Sequence, residues 1–308
     1  MTILEELCKS YPIRYTQMQK TAFRQWVLSK AAADGWQARV EENGRFFKHR
    51  NVVIGEPEHA AVIFTAHYDT SAVSLLPNLL IPRNAPVFLA WQLLNVALML
   101  TVSLLVTAVA DVFIDSARAV LWVFVACYLG CLLLTKAGPA NKRNVNNNSS
   151  GVAALMQTMA AIPWEHRGKV AFILFDNGEK GALGSKAYAR EHLQQQYVKT
   201  IIDLDCVGVG DTMLVIGKKL ARVRPEYVRL CAAMREESDR TVEIVDGGIT
   251  TYTSDKDSFK CGVAVLACRR SPGVGYLVTR LNTSRDTLAD QDNIDFLTRR
   301  FAALAARL

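Results

Sequence analysis

From Val87 to Ala110 the chain reads VFLAWQLLNVALMLTVSLLVTAVA without a charged side chain, and after the short Asp111 to Arg118 connection the run Ala119 to Thr135 (AVLWVFVACYLGCLLLT) is uncharged again. A helix that crosses the hydrocarbon core of a bilayer needs about 20 apolar residues, within a range of roughly 17–25. Both runs reach that length, the second only just. Neither shows a polar face at the helical period, so neither suits a helix lying half on a core and half in water. A hairpin buried in a protein core is the other fold open to such runs. Two of them back to back predict an inserted transmembrane helical hairpin, residues 84–138, with membrane lipid as its partner.

The flanks of the hairpin predict its sidedness. Arg83, Lys136, Lys142 and Arg143 lie on the side joined to the rest of the chain, whereas the connection holds Asp111, Asp115 and only Arg118. Positive residues mark the cytoplasmic side, so the expected location is a membrane with the globular part facing the cytoplasm. The opening MTILEELCKSYPIR lacks the apolar stretch of a cleavable signal. The seven cysteines show no metal-like C-x-x-C spacing, and Cys127 and Cys131 fall in the second apolar run, which agrees with a reducing compartment. A formal net charge of +7 raises the question of nucleic acid, yet the basic residues are scattered and gather chiefly at the membrane edge. The excess is read as attraction to anionic headgroups, and no nucleic-acid partner is expected.

The remainder, 1–83 with 139–308, is long enough for one α/β domain. Apolar positions at helical spacing predict a helix from about Thr16 to Ala33, closed by Gly35. Strands are expected over Arg45 to Ile54, Ala60 to Thr65, Lys169 to Phe175, Thr200 to Val207, Met213 to Ile216 and Val263 to Cys268. Helices are expected from Ser149 or Ser150 through Ala161, over Ser185 to Gln195, from Pro225 to Glu237 and from about Gln291 to Ala306. Strand and helix alternate, so the fold class is α/β, a mostly parallel central sheet with helices on both faces.

Several strands end in polar side chains, which is where open α/β sheets place their ligands. Phe64-Thr-Ala-His67-Tyr-Asp69-Thr70 delivers a His and an Asp two apart, pointing the same way on an extended chain, so Asp69 is placed to orient His67 while the other ring nitrogen holds a metal. Three more such segments follow in order: Asn146-Asn147-Asn148-Ser149-Ser150-Gly151, then Phe175-Asp-Asn-Gly178-Glu179-Lys180-Gly181, then Ile202-Asp203-Leu204-Asp205-Cys206. Together with Ser254-Asp255-Lys256 and Asn282-Thr-Ser-Arg-Asp286-Thr287, they resemble the zinc aminopeptidase family, which also includes glutamate carboxypeptidase-like and transferrin-receptor-like members. The resemblance covers most of the chain outside residues 71–140 and implies a zinc-exopeptidase-like fold.

The resemblance also implies site residues. The family's five metal-ligand positions fall on His67, Asn147, Glu179, Asp205 and Asn282, and its general base falls on Gly178, which cannot accept a proton. A bridging carboxylate is thus replaced by the neutral amide of Asn147, and an imidazole by Asn282. The family holds one or two zinc ions; one weakly held ion or none is expected here. A general base contributes roughly 10²–10⁴-fold, so a membrane-tethered, catalytically impaired homologue is expected, its partner a peptide or peptide-like ligand. The alternative is an active metallo-aminopeptidase with a modified, single-metal site. Asp176 and Asp257 are candidate substitute bases, Lys180 and Lys256 candidate ammonium groups for pairing with Glu179 and Asp205, and Cys206 a candidate nucleophile, though a buried small side chain suits it better.

Overall fold

The apolar runs that end in polar side chains become the middle of a sheet. The computed structural model describes residues 1–74, 78–135, 138–236 and 240–308. In chain order they form α1 (Ile3–Ser10), α2 (Gln17–Ala33), β1 (Ala38–Asn43), β2 (His49–Ile54), β3 (Val62–His67), β4 (Asn78–Leu80), α3 (Ala85–Asp111), α4 (Ala117–Leu134), α5 (Gly151–Ala161), β5 (Val170–Phe175), α6 (Leu183–Glu191), α7 (Leu193–Val198), β6 (Thr200–Leu204), β7 (Thr212–Gly217), α8 (Lys219–Arg222), α9 (Pro225–Arg235), β8 (Thr241–Asp246), β9 (Gly262–Ser271), β10 (Gly275–Leu281) and α10 (Gln291–Arg307).

The strands lie in the order β1-β2-β5-β3-β6-β9-β10-β4, with β7 on β9 and β8 on β7. The centre is parallel, as expected: β3 pairs with β5 and with β6, and β6 with β9. Its margins are antiparallel through β1–β2, β2–β5, β7–β9, β9–β10 and β10–β4, while the edge strand β8 runs parallel to β7. Every residue of β3, β5 and β6 is buried, as central strands covered on both faces require. On one face α1, α2, α5, α9 and α10 share a core with Phe64, Phe172 and Val263. There Phe64 stacks on Phe172 at 5.5 Å and meets Phe301 at 4.9 Å. Burying each such ring is worth about 1.5–3 kcal/mol. On the other face α6 covers Ile63, Ile173 and Phe175 through Tyr188.

Local chemistry sets the ends of the elements. Thr16 and Gln19 form a reciprocal capping box at the start of α2, Pro225 opens α9 and Asp290 caps α10. The helix expected over Ser185 to Gln195 is instead two, because the chain leaves helical geometry at His192, whose imidazole meets Glu41 at 2.6 Å. Glu237, the expected end of α9, and Lys136, one of the flanking cations, lie outside the described residues.

Helices α3 and α4 pack on each other and are long and apolar enough to cross a membrane. Leu93, Leu104, Leu105 and Val109 of α3, and Leu121, Trp122 and Leu133 of α4, each expose more than half of their surface. The pair is therefore not the covered core of a soluble domain. Its entry is tied down by Asn84, which caps α3 and donates to the carbonyls of Gly273 and Val274. Its exit is held where Ala72 bridges Ala140 and Val73 donates to the Pro139 carbonyl.

Candidate functional site

Three parallel strands end side by side, and polar residues at or just beyond their ends meet. His67 closes β3, Glu179 follows β5 and Asp205 follows β6. Nε2 of His67 stands 3.8 Å from Oδ1 of Asp205. Two further segments complete the cleft: the irregular turn 145–150 brings Asn147, and the end of β10 brings Asn282. All five positions line one cavity of about 480 Å³, together with Gly178 and Tyr252.

The run of three asparagines and two serines before α5 is buried and bonded to the strand ends. Asn148 donates to the Leu204 carbonyl and accepts from the Cys206 amide. Asn146 accepts from the Gly208 amide, and Ser150 from that of Val207. Asp286 accepts from the amides of Asn146 and Asn147 at 2.8 and 3.0 Å, so the late Asn282-to-Asp286 segment positions the turn. The Asn147–Asn148 peptide is cis.

Glu179, Asn147 and Asn282 form a closed ring. Asn147 Nδ2 donates to Glu179 Oε1 at 2.6 Å and to Asn282 Oδ1 at 2.5 Å, while Asn282 Nδ2 donates to Glu179 Oε2 at 3.1 Å. The carboxylate dictates these amide orientations, since turning Asn147 over would set its oxygen against two other acceptors. Burial pushes the Glu179 carboxyl up to about 7, with the charge of His67 opposing and those of Asp69 and Asp205 adding to the rise.

The His67–Asp205 side is different. Burial disfavours the His67 cation, but hydrogen bonds and charge from Asp205 and Asp69 raise its pKa well above the ordinary value. Burial likewise opposes the Asp205 anion, yet His67, Cys206 and Tyr252 hold its carboxyl below the usual range. Tyr252 donates to Asp205 Oδ2 at 2.6 Å and the Cys206 thiol to Oδ1 at 3.0 Å. Nδ1 of His67 is 3.3 Å from the Asp69 carbonyl and 3.4 Å from Oδ1 of Asp69. The Asp69 carboxylate is engaged chiefly by the amides of Gly178 (2.6 Å) and Glu179 (3.2 Å). It thereby fixes the loop after β5 as well as touching the ring.

Five substitute roles are not found. Asp176 is fully buried and bound to Lys20 at 2.7 Å, and Asp257 lies 2.9 Å from Lys256. Lys256 thus pairs with its neighbour, a capping-box residue of the same turn, and not with Glu179 or Asp205. Lys180 stands over the Tyr15 ring. Cys206 lines the cleft, but burial pushes its thiol well above the ordinary range, which leaves it a poor nucleophile. Gly178 leaves no room for a side chain: a Cβ there would lie 2.3 Å from His67 Cβ and 2.5 Å from Cγ. Tyr252, which sequence reasoning missed, carries no signal of its own in a polar loop.

Catalytic zinc takes three protein donors at roughly 2.0–2.3 Å. Among the described residues no group of three or more His, Cys, Asp or Glu side chains could hold one ion, and both oxygens of Glu179 are taken by amide donors. The residues present do not fit a paired-zinc site.

The profile described as peptidase family M28 matches residues 135–299, more than half of the 308-residue chain. No curated protein matches the sequence. Among solved structures, the chain is similar to the LapA aminopeptidase of Legionella pneumophila (14% identity, TM-score 0.59, 99% of this chain and 68% of that one). It is similar to the glutaminyl cyclase of Porphyromonas gingivalis (12%, 0.62, 99% and 96%). A leucine aminopeptidase precursor from Bacteroides thetaiotaomicron is a third (14%, 0.61, 99% and 95%). At such identities these likenesses show the fold.

Proposed function

The chain belongs to peptidase family M28, and from that premise we propose that it is a membrane-tethered, catalytically impaired member whose cleft binds peptides without hydrolysing them efficiently. The observation that carries the reading is the closed ring of Glu179, Asn147 and Asn282 beside a glycine whose missing side chain has no room to return. Zinc-ligand positions filled by amides that satisfy the remaining carboxylate leave a cleft that is stable without an ion. A shared fold does not choose the reaction, since both aminopeptidases and a glutaminyl cyclase carry it.

Residues 1–83 and 139–308 form the peptidase-like domain in this reading, and 84–138 a hairpin that spans the membrane and leaves the domain facing the cytoplasm. Support comes from the exposed apolar faces of α3 and α4. An alternative, an active metallo-aminopeptidase with one metal, is favoured by the retained His67–Asp205 pair at 3.8 Å.

Purification in detergent, with zinc quantified and an aminoacyl chromogenic substrate assayed with added zinc, cobalt or manganese, separates the two readings. Well under one equivalent of zinc and no chelator-sensitive turnover are expected, with retained binding of a fluorescent peptide. One or two equivalents with chelator-sensitive turnover would establish the alternative. Release of the full chain from membranes by carbonate would refute the tether, and deletion of 84–138 with a short linker is expected to give a soluble product.

A further inference from the structure

The cleft does not end at the sheet. A second cavity, of about 280 Å³, shares Asn78, Glu179 and Asn282 with the first. Its far wall is Trp91, Gln92, Asn95 and Met99 of α3, with Thr135 at the end of α4. The hairpin is thus part of the binding site.

The position of that wall along the hairpin follows from helix geometry. The connection between α3 and α4 is short, so Asp111 and Ala117 stand level. Counting eighteen residues back along α3 brings Thr135 level with Leu93, in agreement with Thr135 and Gln92 lining the same space. At about 1.5 Å per residue, α4 spans roughly 27 Å, close to a bilayer core of about 30 Å. The start of α3 therefore projects beyond the hydrocarbon on the domain side, and the second cavity opens where the hairpin leaves it. A tryptophan suits that depth.

Gln92 and Asn95 are the two amide side chains of the uncharged Val87 to Ala110 run, whose other polar side chains are the hydroxyls of Thr101, Ser103 and Thr107, and with Met99 they share one helix face. Polar side chains in such helices face protein or a wet cavity, and these face the cavity that leads to Glu179.

We infer that the cleft takes its ligand from the membrane: a polypeptide inserted in the bilayer, whose emerging amino-terminal end runs along the Trp91–Met99 face of α3 to Glu179 and Asp205. The inference rests on the reading of the site as a peptide-binding cleft on a membrane-spanning hairpin. Carboxylates predominate around the inner cavity, where Glu179, Asp205 and Asp255 stand with Asp257, itself paired to Lys256, against Lys186 and His67, and Asp205 on the open side keeps acceptor capacity for an ammonium group.

The test uses the full chain in phosphatidylcholine nanodiscs and two synthetic peptides with the same first five residues and a benzophenone at the second. One is soluble; the other continues into about 20 leucines and alanines that insert in the disc. Asn95→Trp fills the outer cavity, and Leu104→Trp places the same bulk on an exposed site of α3. Wild type and Leu104→Trp are expected to capture the inserted peptide equally, and Asn95→Trp at least tenfold less. An unchanged thermal-unfolding midpoint is expected for Asn95→Trp, which certifies its fold. Unchanged capture of the inserted peptide by Asn95→Trp would overturn the inference and leave the peptide-binding reading intact. Capture of neither peptide by wild type would overturn both.

Discussion

The two sides of the cleft contain similar chemistry and use it differently. On one side His67 and Asp205 face each other as cation and anion, each buried, each steadied by neighbours that leave the gap between them open. On the other, Glu179 is closed in by two amides that satisfy both of its oxygens and each other. A buried carboxylate left unpaired costs several kcal/mol, whereas asparagine in place of an acid or an imidazole supplies the N–H donors that remove this cost. The two asparagines thus leave one half able to receive a charged group and the other self-sufficient.

The largest test of that contrast is Gly178→Glu, which adds a carboxyl side chain beside His67. Its Cβ would overlap His67, so the open half must shift, and a loss of about 3 kcal/mol is expected from the thermal-unfolding midpoint in detergent. A midpoint equal to that of wild type would mean that the loop after β5 yields freely. The double change Asn147→Asp with Asn282→His attacks the closed half. It is expected to convert the ring into a zinc site, stabilising the protein by about 2.7 kcal/mol at zinc a hundredfold above its dissociation constant. Wild type is expected not to shift in the same melting experiment, and an equal shift in wild type would erase the distinction. Tyr252→Phe then probes the open half alone. It removes a hydrogen bond to a charged, buried acceptor, at a cost of about 2 kcal/mol; a change near zero would show that His67 and Cys206 suffice to hold Asp205.

The three ionisable members of the cleft were legible in the sequence, for a physical reason. His67, Glu179 and Asp205 each lie at or a few residues beyond the end of a mainly apolar segment, and segments buried on both faces become adjacent central strands with their polar ends on one edge. Asn147 and Asn282 were placed only through the family resemblance, because neither type marks a ligand by itself. The margins of the sheet were less visible: β8 carries Glu243 and β10 carries Arg280, and partly exposed strands lack a continuous apolar run. Lys20 reads as a solvated helix residue until the fold sets it on Asp176 and Asn177. The Gly178–His67 approach depends on two strands that meet only in three dimensions. The amides of α3 stood in plain view in the apolar run, but the cavity they line exists only once the hairpin is laid against the domain.

The smallest effect is also the sharpest discriminator within the ring. Asn282 sits at φ +59, a left-handed conformation that asparagine tolerates and alanine resists by roughly 1 kcal/mol. Removing its amide breaks the bond to Glu179 in either Asn282→Ala or Asn282→Gly, but only alanine adds backbone strain. If the ring is the stabilising unit, both variants lose the hydrogen-bond contribution, and alanine falls below glycine by about 1 kcal/mol in the same melting assay. Should glycine match wild type while alanine does not, Asn282 serves the turn after β10 and the closed half of the cleft owes its stability to Asn147 alone.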